Sequence, residues 1–299
     1  MLSNQYEIKI RAHETFYIRE GWLTKGLTAV EKDGTIFSNI INAVDTLGVG
    51  ANMAKSIKYW LRATGLTEEE RLEGGKREQV PTEFGKIVLK RDSYFEDIGT
   101  LFICHYYLVS NFNLATSWNV IFNKTNVTEM TKEEMKNLIE NKILVLNPTA
   151  DPKEKLILDD CNCIIKSYVS DKNDFKDPED NMICPFTQLR LLEKKKERGN
   201  EDIIVKTIPY KKDLNELIVL YVILDNLNEK RETTINRLIE DENNIGKVFN
   251  LDKNLINEYV DILKNEGYLN VNRTAGLNTI TIKENITKEI ILEKYYKEL

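Results

Sequence analysis

The chain has 299 residues, of which 41% are hydrophobic and 30% charged, a balance typical of a globular protein. Lys and Arg number 42 against 48 Asp and Glu, and the net charge of −6 argues against a broadly basic, nonspecific nucleic-acid coat. No apolar run reaches the roughly 18 residues of a membrane span, residues 1–10 show no signal-peptide pattern, and four cysteines are too few for a disulfide scaffold. We therefore expect a cytoplasmic protein without membrane contact.

The N-terminal part predicts a helix–turn–helix followed by a hairpin. An apolar stripe over residues 37–47 has helical spacing, and glycines within residues 48–50 end it. A second helix is predicted over residues 51–64. Two short segments around Gly74-Gly75 then indicate a hairpin. This order predicts a winged-helix-like domain over residues 1–92.

The middle of the chain, residues 93–195, is predicted to be helical. A long apolar stretch over residues 98–108 indicates a buried helix, and residues 131–141 predict an amphipathic helix with Thr131 as its cap. Residues 170–185 are polar, contain two prolines and predict a linker or long loop.

The C-terminal part, residues 196–299, repeats the order of helices followed by a hairpin. Residues 203–208 alternate weakly like a strand, and residues 233–241 and 252–267 are predicted helices. A second hairpin signal surrounds residues 273–276. The predicted fold class is therefore mainly α, with two winged-helix-like units joined by a helical middle region.

The second predicted helix carries the most specific functional signal. At about 100° per residue its apolar side chains cluster on one side. Lys55, Lys58 and Arg62 fall on the opposite side, with Asn52 and Tyr59 beside them. Cations neutralise phosphates, and Asn and Arg read base edges, so this pattern is typical of a recognition helix in a major groove.

The hairpin that follows adds Arg71, Lys76 and Arg77, which suit a wing lying along a DNA backbone. Lys and Arg also populate the solvated face of most soluble helices, and the negative net charge favours a face directed to solvent or to a protein. Both interpretations remain open at this point.

The sequence signals for a metal site or a catalytic site are weaker. Cys161, Cys163 and Cys184 offer a single C-x-C rather than paired C-x-x-C units, so we expect no metal and no cofactor. His13 beside Glu14 is more consistent with a structural or surface element than with an acid–base pair. No Ser or Cys lies in a recognisable nucleophile motif, so we expect a protein that is not an enzyme.

Several short motifs, most of them in the first half of the chain, form a recognisable set: His13-Glu14-Thr15-Phe16, Gly21-Trp22-Leu23, Leu47-Gly48-Val49-Gly50, Tyr59-Trp60-Leu61, Thr82-Glu83-Phe84-Gly85, Gly99-Thr100-Leu101, Thr116-Ser117-Trp118 and Gly246-Lys247-Val248-Phe249. With these motifs the sequence resembles an uncharacterised prokaryotic family, domain of unknown function 4007. The resemblance implies that the protein is encoded near genes for phosphoadenosine-phosphosulfate-reductase-like proteins and for DNA phosphorothioation or phage-defence systems. It implies no catalytic residues. Ala51 follows Gly-Val-Gly where the family commonly has a basic residue, so a phosphate contact expected there is missing.

The functional prediction has two forms. The first is a non-catalytic DNA-binding accessory protein of a DNA-modification or phage-defence system, with duplex DNA as its partner. The alternative is an adaptor that binds a sulfur-transfer enzyme of the phosphoadenosine-phosphosulfate-reductase-like class, which the acidic net charge and the implied gene neighbours favour.

Overall fold

The computed structural model describes residues 7–71, 75, 77–170, 183–196, 202–228, 230–273 and 278–298. The chain forms two compact units, Met1–Lys206 and Thr207–Leu299. The sequence division into residues 1–92, 93–195 and 196–299 places its second boundary inside a strand of the first unit, because Leu192–Lys196 pairs with Asp202–Lys206 within that unit.

The first unit is built from helices with two small sheets. Its helices are α1 Trp22–Lys32, α2 Ile40–Leu47, α3 Ala51–Ala63, α4 Glu83–Arg91, α5 Ile98–Ser110, α6 Thr116–Asn119, α7 Lys132–Leu146 and α8 Glu154–Tyr168. Short turns of 3-10 helix lie at Ile36–Ser38 and Pro185–Leu189, and a π-helical turn at Val120–Lys124 continues α6. Its strands are β1 Thr67–Arg71, β2 Arg77–Pro81, β3 Glu129–Thr131, β4 Leu192–Lys196 and β5 Asp202–Lys206.

The second unit combines helices with one sheet. Its helices are α9 Glu216–Leu227, α10 Ile235–Glu240, α11 Ile245–Val248, α12 Lys253–Asn265 and α13 Lys288–Glu298. Its strands are β6 Glu232–Thr234, β7 Leu269–Asn272 and β8 Thr279–Ile282, in the order β6-β8-β7. α9 is apolar on all sides and buried, and α13 packs against it.

The predicted fold class, a mainly α chain with two winged-helix-like units, is wrong. The described residues form a mixed α/β structure with three small antiparallel sheets, ordered β1-β2, β3-β5-β4 and β6-β8-β7. The second of these sheets includes β3, which lies inside the region predicted to be only helical. β3 has three residues and pairs with a strand about seventy positions later, with Met130 opposite Ile204. So short a strand has no local periodicity that would predict it.

Two predicted helices begin later than expected. The apolar stripe of residues 37–47 is divided, because Ile36–Ser38 forms a 3-10 turn and the Asn39 side chain caps α2 by accepting from the Ile41 amide at 3.0 Å. The helix predicted over residues 233–241 begins at Ile235, since Thr233 and Thr234 pair in β6. The first difference reflects a local turn and cap, and the second reflects strand pairing that overrides helical spacing.

Other predicted elements are confirmed. The buried helix α5 and the hairpin β1-β2 form as expected, and Thr131 caps α7 in a capping box with Glu134. The predicted linker lies largely outside the described residues, which omit 171–182. No helix in the described ranges has the length and apolar character needed to cross a membrane.

Candidate nucleic-acid interface

The apolar side of helix α3 packs against the rest of the first unit. Ile57, Trp60 and Leu61 are fully buried, and the Trp60 indole donates to the Phe16 carbonyl at 3.0 Å. Gly26 of α1 allows the close approach, because a Cβ there would lie 2.6 Å from the Ile57 side chain. These contacts fix the rotation of α3 and so decide which side chains face outward.

The outward face of α3 carries cations and no acidic side chain. Lys55 is exposed, and the side chains of Lys58 and Arg62 retain about a third of their accessible surface, 32% and 31%. Asn52 is exposed beside them, with its amide oxygen 3.5 Å from the Lys55 ammonium. The three predicted cations therefore share one face.

Glu69 of β1 lies beneath these cations and joins them to the hairpin. Its carboxylate is 3.6 Å from the Lys58 ammonium, 4.0 Å from the Arg62 guanidinium and 3.0 Å from the Arg77 guanidinium. Burial raises the pKa of Glu69, but Arg62, Lys58 and Arg77 together outweigh it and hold the pKa below its ordinary value. Glu69 is therefore ionised at neutral pH.

Gln79 fixes the hairpin against α3. The buried side-chain amide of Gln79 donates to the Lys58 carbonyl at 3.2 Å, and its backbone N–H donates to the Gly34 carbonyl at 2.8 Å. Gln79 faces Glu69 directly in the β1-β2 register, so both side chains lie on the hairpin face that meets α3. Gln79 therefore sets how the hairpin, with Glu69 and Arg77, lies against α3.

The hairpin carries less positive charge than expected of the basic wing that the sequence predicts. Arg71 ends β1 opposite Arg77 and both are exposed, whereas Lys76 lies outside the described residues. The described part of the two strands carries four glutamates against these two arginines: Glu68, Glu69, Glu70 and Glu78. A cationic contact surface is therefore centred on α3 and Arg77 rather than on the hairpin as a whole.

The predicted position of Tyr59 on the cationic face is wrong. Tyr59 is buried, and its ring packs 4.9 Å from the Trp60 ring and 6.3 Å from the His13 ring, between centroids. The buried arc of α3 is wider than a two-helix packing requires, because the segment before α1 covers this side as well. Burial, with a smaller contribution from Asp160, raises the pKa of Tyr59 well above its ordinary value.

Sequence reasoning missed Glu69 and Gln79. Strand alternation in the hairpin does place residues 69 and 79 on one face, so a signal for their partnership existed. The sequence does not indicate which face of the hairpin meets α3, and this determines whether Glu69 contacts cations or solvent.

A second polar cluster surrounds Asp160 of α8 and is buried. The His13 Nε2 atom lies 2.8 Å from one Asp160 carboxylate oxygen, which also accepts from the Arg11 amide at 2.8 Å. The Ser117 hydroxyl donates to the other oxygen. Ser117 thus bonds to the carboxylate and not to the imidazole, and all three side chains are inaccessible, so the cluster lacks the geometry of a hydrolase triad.

The cluster holds an unusual backbone segment. Arg11, Glu14 and Thr15 have φ values of 58°, 52° and 70°, in the left-handed region that non-glycine residues rarely occupy. His13 lies between them, and its ring stacks on Trp60 with centroids 6.0 Å apart. The structural interpretation of His13, rather than the acid–base pair with Glu14, fits these contacts.

The four cysteines are free and buried. Burial raises the pKa of Cys161 and of Cys184 to about 12, and raises that of Cys104 and Cys163 as well. Metal ions bind the thiolate, which these environments oppose. In the part of the chain that the structure describes, no group of three or more His, Cys, Asp or Glu side chains is placed to hold a metal ion.

We expect all four thiols to resist a thiol reagent at pH 8 until the protein unfolds. Reaction needs both exposure and the thiolate, and the raised pKa values leave a negligible thiolate fraction at that pH. Counting labelled cysteines by mass spectrometry, with and without denaturant, checks this. A thiol that reacts within minutes in the native protein would contradict the burial described above.

Residues 10–296 match the model of a family described as a protein of unknown function, DUF4007. The chain belongs to this family. The match spans nearly the whole sequence and confirms the resemblance drawn from the short motifs.

Two solved structures are similar to this chain over nearly its full length. One, described as a magnesium ion-bound SspB crystal structure, is 26% identical with a TM-score of 0.86, and the similarity covers 97% of this chain and 88% of that one. The other, described as an SspB crystal structure, is 25% identical with a TM-score of 0.84 and the same coverage. No curated protein matches the sequence.

Proposed function

We propose that this protein binds duplex DNA through the outward face of α3, as an accessory protein of a DNA-modification or phage-defence system. The observation that carries the proposal is the row of Lys55, Lys58 and Arg62 on one accessible face that has no acidic side chain of its own. Arg77 extends this row from the hairpin. Cations on an exposed helix contact phosphates, and Asn52 at the start of α3 is able to hydrogen-bond a base edge.

The charges around this face set the expected strength of binding. Glu69 neutralises about one of the four cations, and the other hairpin glutamates add negative charge nearby. The remaining positive charge supports a few phosphate contacts, not the many of a strongly basic DNA-binding protein. We therefore expect binding that is moderate at physiological salt and sensitive to ionic strength.

Binding is tested with purified protein and a labelled duplex, by fluorescence anisotropy at low and at physiological salt. Plain and phosphorothioate duplexes are compared side by side. Salt-sensitive binding supports the proposal, and a preference for one duplex would make the protein a reader of that modification. Absence of binding to both duplexes at low salt would overturn it.

The non-catalytic role remains a prediction and needs its own test. One similar structure is described as bound to magnesium, so the assay combines this protein with supercoiled plasmid and Mg²⁺, with a chelator as the control. Intact plasmid after long incubation is expected for an accessory protein. Nicking that depends on Mg²⁺ and scales with protein concentration would contradict it.

A second candidate function is an adaptor for a phosphoadenosine-phosphosulfate-reductase-like protein. It is favoured by Ile40 and Ile41 of α2, whose surfaces are 38% and 66% exposed although both are large and apolar. Co-purification of the two proteins that is lost with Ile41→Asp would support this function. No complex at micromolar concentration would count against it.

A further inference from the structure

We propose that Glu69 competes with a DNA phosphate for the cations of this face, and so weakens the protein's affinity for DNA. This inference rests on the proposed function, because it concerns the regulation of the same site. The predicted site contained no acidic residue, and the carboxylate among its cations is the feature that requires an explanation.

The geometry supports an internal competitor. The two oxygens of one carboxylate serve three cations, with Lys58 on one oxygen and Arg62 and Arg77 on the other, at 3.0 to 4.0 Å. A phosphodiester also presents two anionic oxygens, so it suits the same donors. A phosphate contacting Lys58 or Arg77 must share these donors with Glu69 or replace it.

Glu69 is held in position rather than free to move away. Its side chain is only 15% exposed, while the Arg77 side chain is 56% exposed and accessible to a ligand. The register partner of Glu69 is Gln79, which is buried and bonded to the Lys58 carbonyl. A phosphate therefore meets a fixed carboxylate that already occupies part of the donor capacity of the cations.

The consequence is a lower number of counterions released when DNA binds. Each cation free to neutralise a phosphate steepens the salt dependence by about one unit, and an internal carboxylate removes about one such cation. Removing the Glu69 charge should therefore strengthen binding, whereas a carboxylate that only positions the cations would make its removal weaken binding.

The test compares Glu69→Gln with Glu70→Gln in the full chain. Glu70 is the next residue of β1, is exposed, faces the opposite side of the hairpin and makes no ion pair within 4 Å in the described structure. Both variants change the net charge equally, so long-range electrostatics is matched. We expect Glu69→Gln to bind a plain duplex on the order of fivefold more tightly at about 0.1 M salt, with a salt slope steeper by about one. Glu70→Gln should stay within about twofold of the parent protein.

The outcomes separate this inference from the proposed function. If the parent protein binds DNA and Glu69→Gln binds no better than Glu70→Gln, or binds more weakly while folded, the inference is overturned and the proposed function stands. If the parent protein does not bind duplex DNA, both fail. Circular dichroism checks folding, and Glu69→Thr, a residue suited to a strand, provides a second neutral variant if the Gln variant does not fold.

Discussion

Replacing Lys55, Lys58 and Arg62 together with Gln should lower the affinity for duplex DNA on the order of 100-fold at about 0.1 M salt. The three side chains share the outward face of α3. Each phosphate contact raises the association constant roughly several-fold at that ionic strength, so losing three contacts multiplies the effect. Gln is preferred to Glu because a carboxylate at position 58 or 62 would lie beside Glu69 and destabilise the hairpin. Anisotropy with a plain duplex measures the change.

The matched control replaces three lysines of the second unit with Gln. Lys253, Lys264 and Lys283 are all exposed, so the net charge changes by the same amount. The control is expected to retain the parent affinity within about threefold. If the control loses binding and the α3 variant retains it, the DNA-binding surface lies in the second unit and the proposed site is wrong.

Asp160→Ala should destabilise the first unit by about 3–5 kcal/mol. The substitution removes the acceptor of the His13 imidazole, the Ser117 hydroxyl and the Arg11 amide, and leaves the His13 and Ser117 side chains buried without it. It also releases the constraint that holds residues 11–15 in a strained backbone conformation. Urea unfolding followed by tryptophan fluorescence reports on this unit, because all three tryptophans of the chain lie within it.

The neighbouring Asp159 supplies the control. Its carboxylate pairs with the Arg11 guanidinium at 3.0 Å near the surface, where both side chains retain solvent contact. Asp159→Ala is therefore expected to cost less than about 1 kcal/mol. Equal unfolding midpoints for the two variants would show that the buried cluster does not stabilise the fold as described.

The local elements of this chain are predictable because their signals are local. Helix α3 and the hairpin β1-β2 follow from helical spacing and from the Gly74-Gly75 turn signal. The β3-β5-β4 sheet is not predictable in this way, since β3 is short and its partner lies far away in sequence. The mixed fold class therefore depends on a pairing that only the tertiary structure reveals.

The candidate site was predictable in its charges but not in its contacts. Helical spacing places Lys55, Lys58 and Arg62 on one face, as the structure has them. Tyr59 was misplaced because a third element, the segment around His13, covers the side of α3 that two-helix packing leaves open. Glu69 was missed because its role depends on how the hairpin docks, which Gln79 determines through a bond to the α3 backbone.

The salt dependence of duplex binding by the unaltered protein tests the central claim most directly. Lys55, Lys58, Arg62 and Arg77 present four cations, of which Glu69 neutralises about one. A plot of the logarithm of the association constant against the logarithm of salt concentration should therefore have a slope of about −3. A slope shallower than about −1, or no binding at low salt, would contradict a phosphate-directed interface on α3.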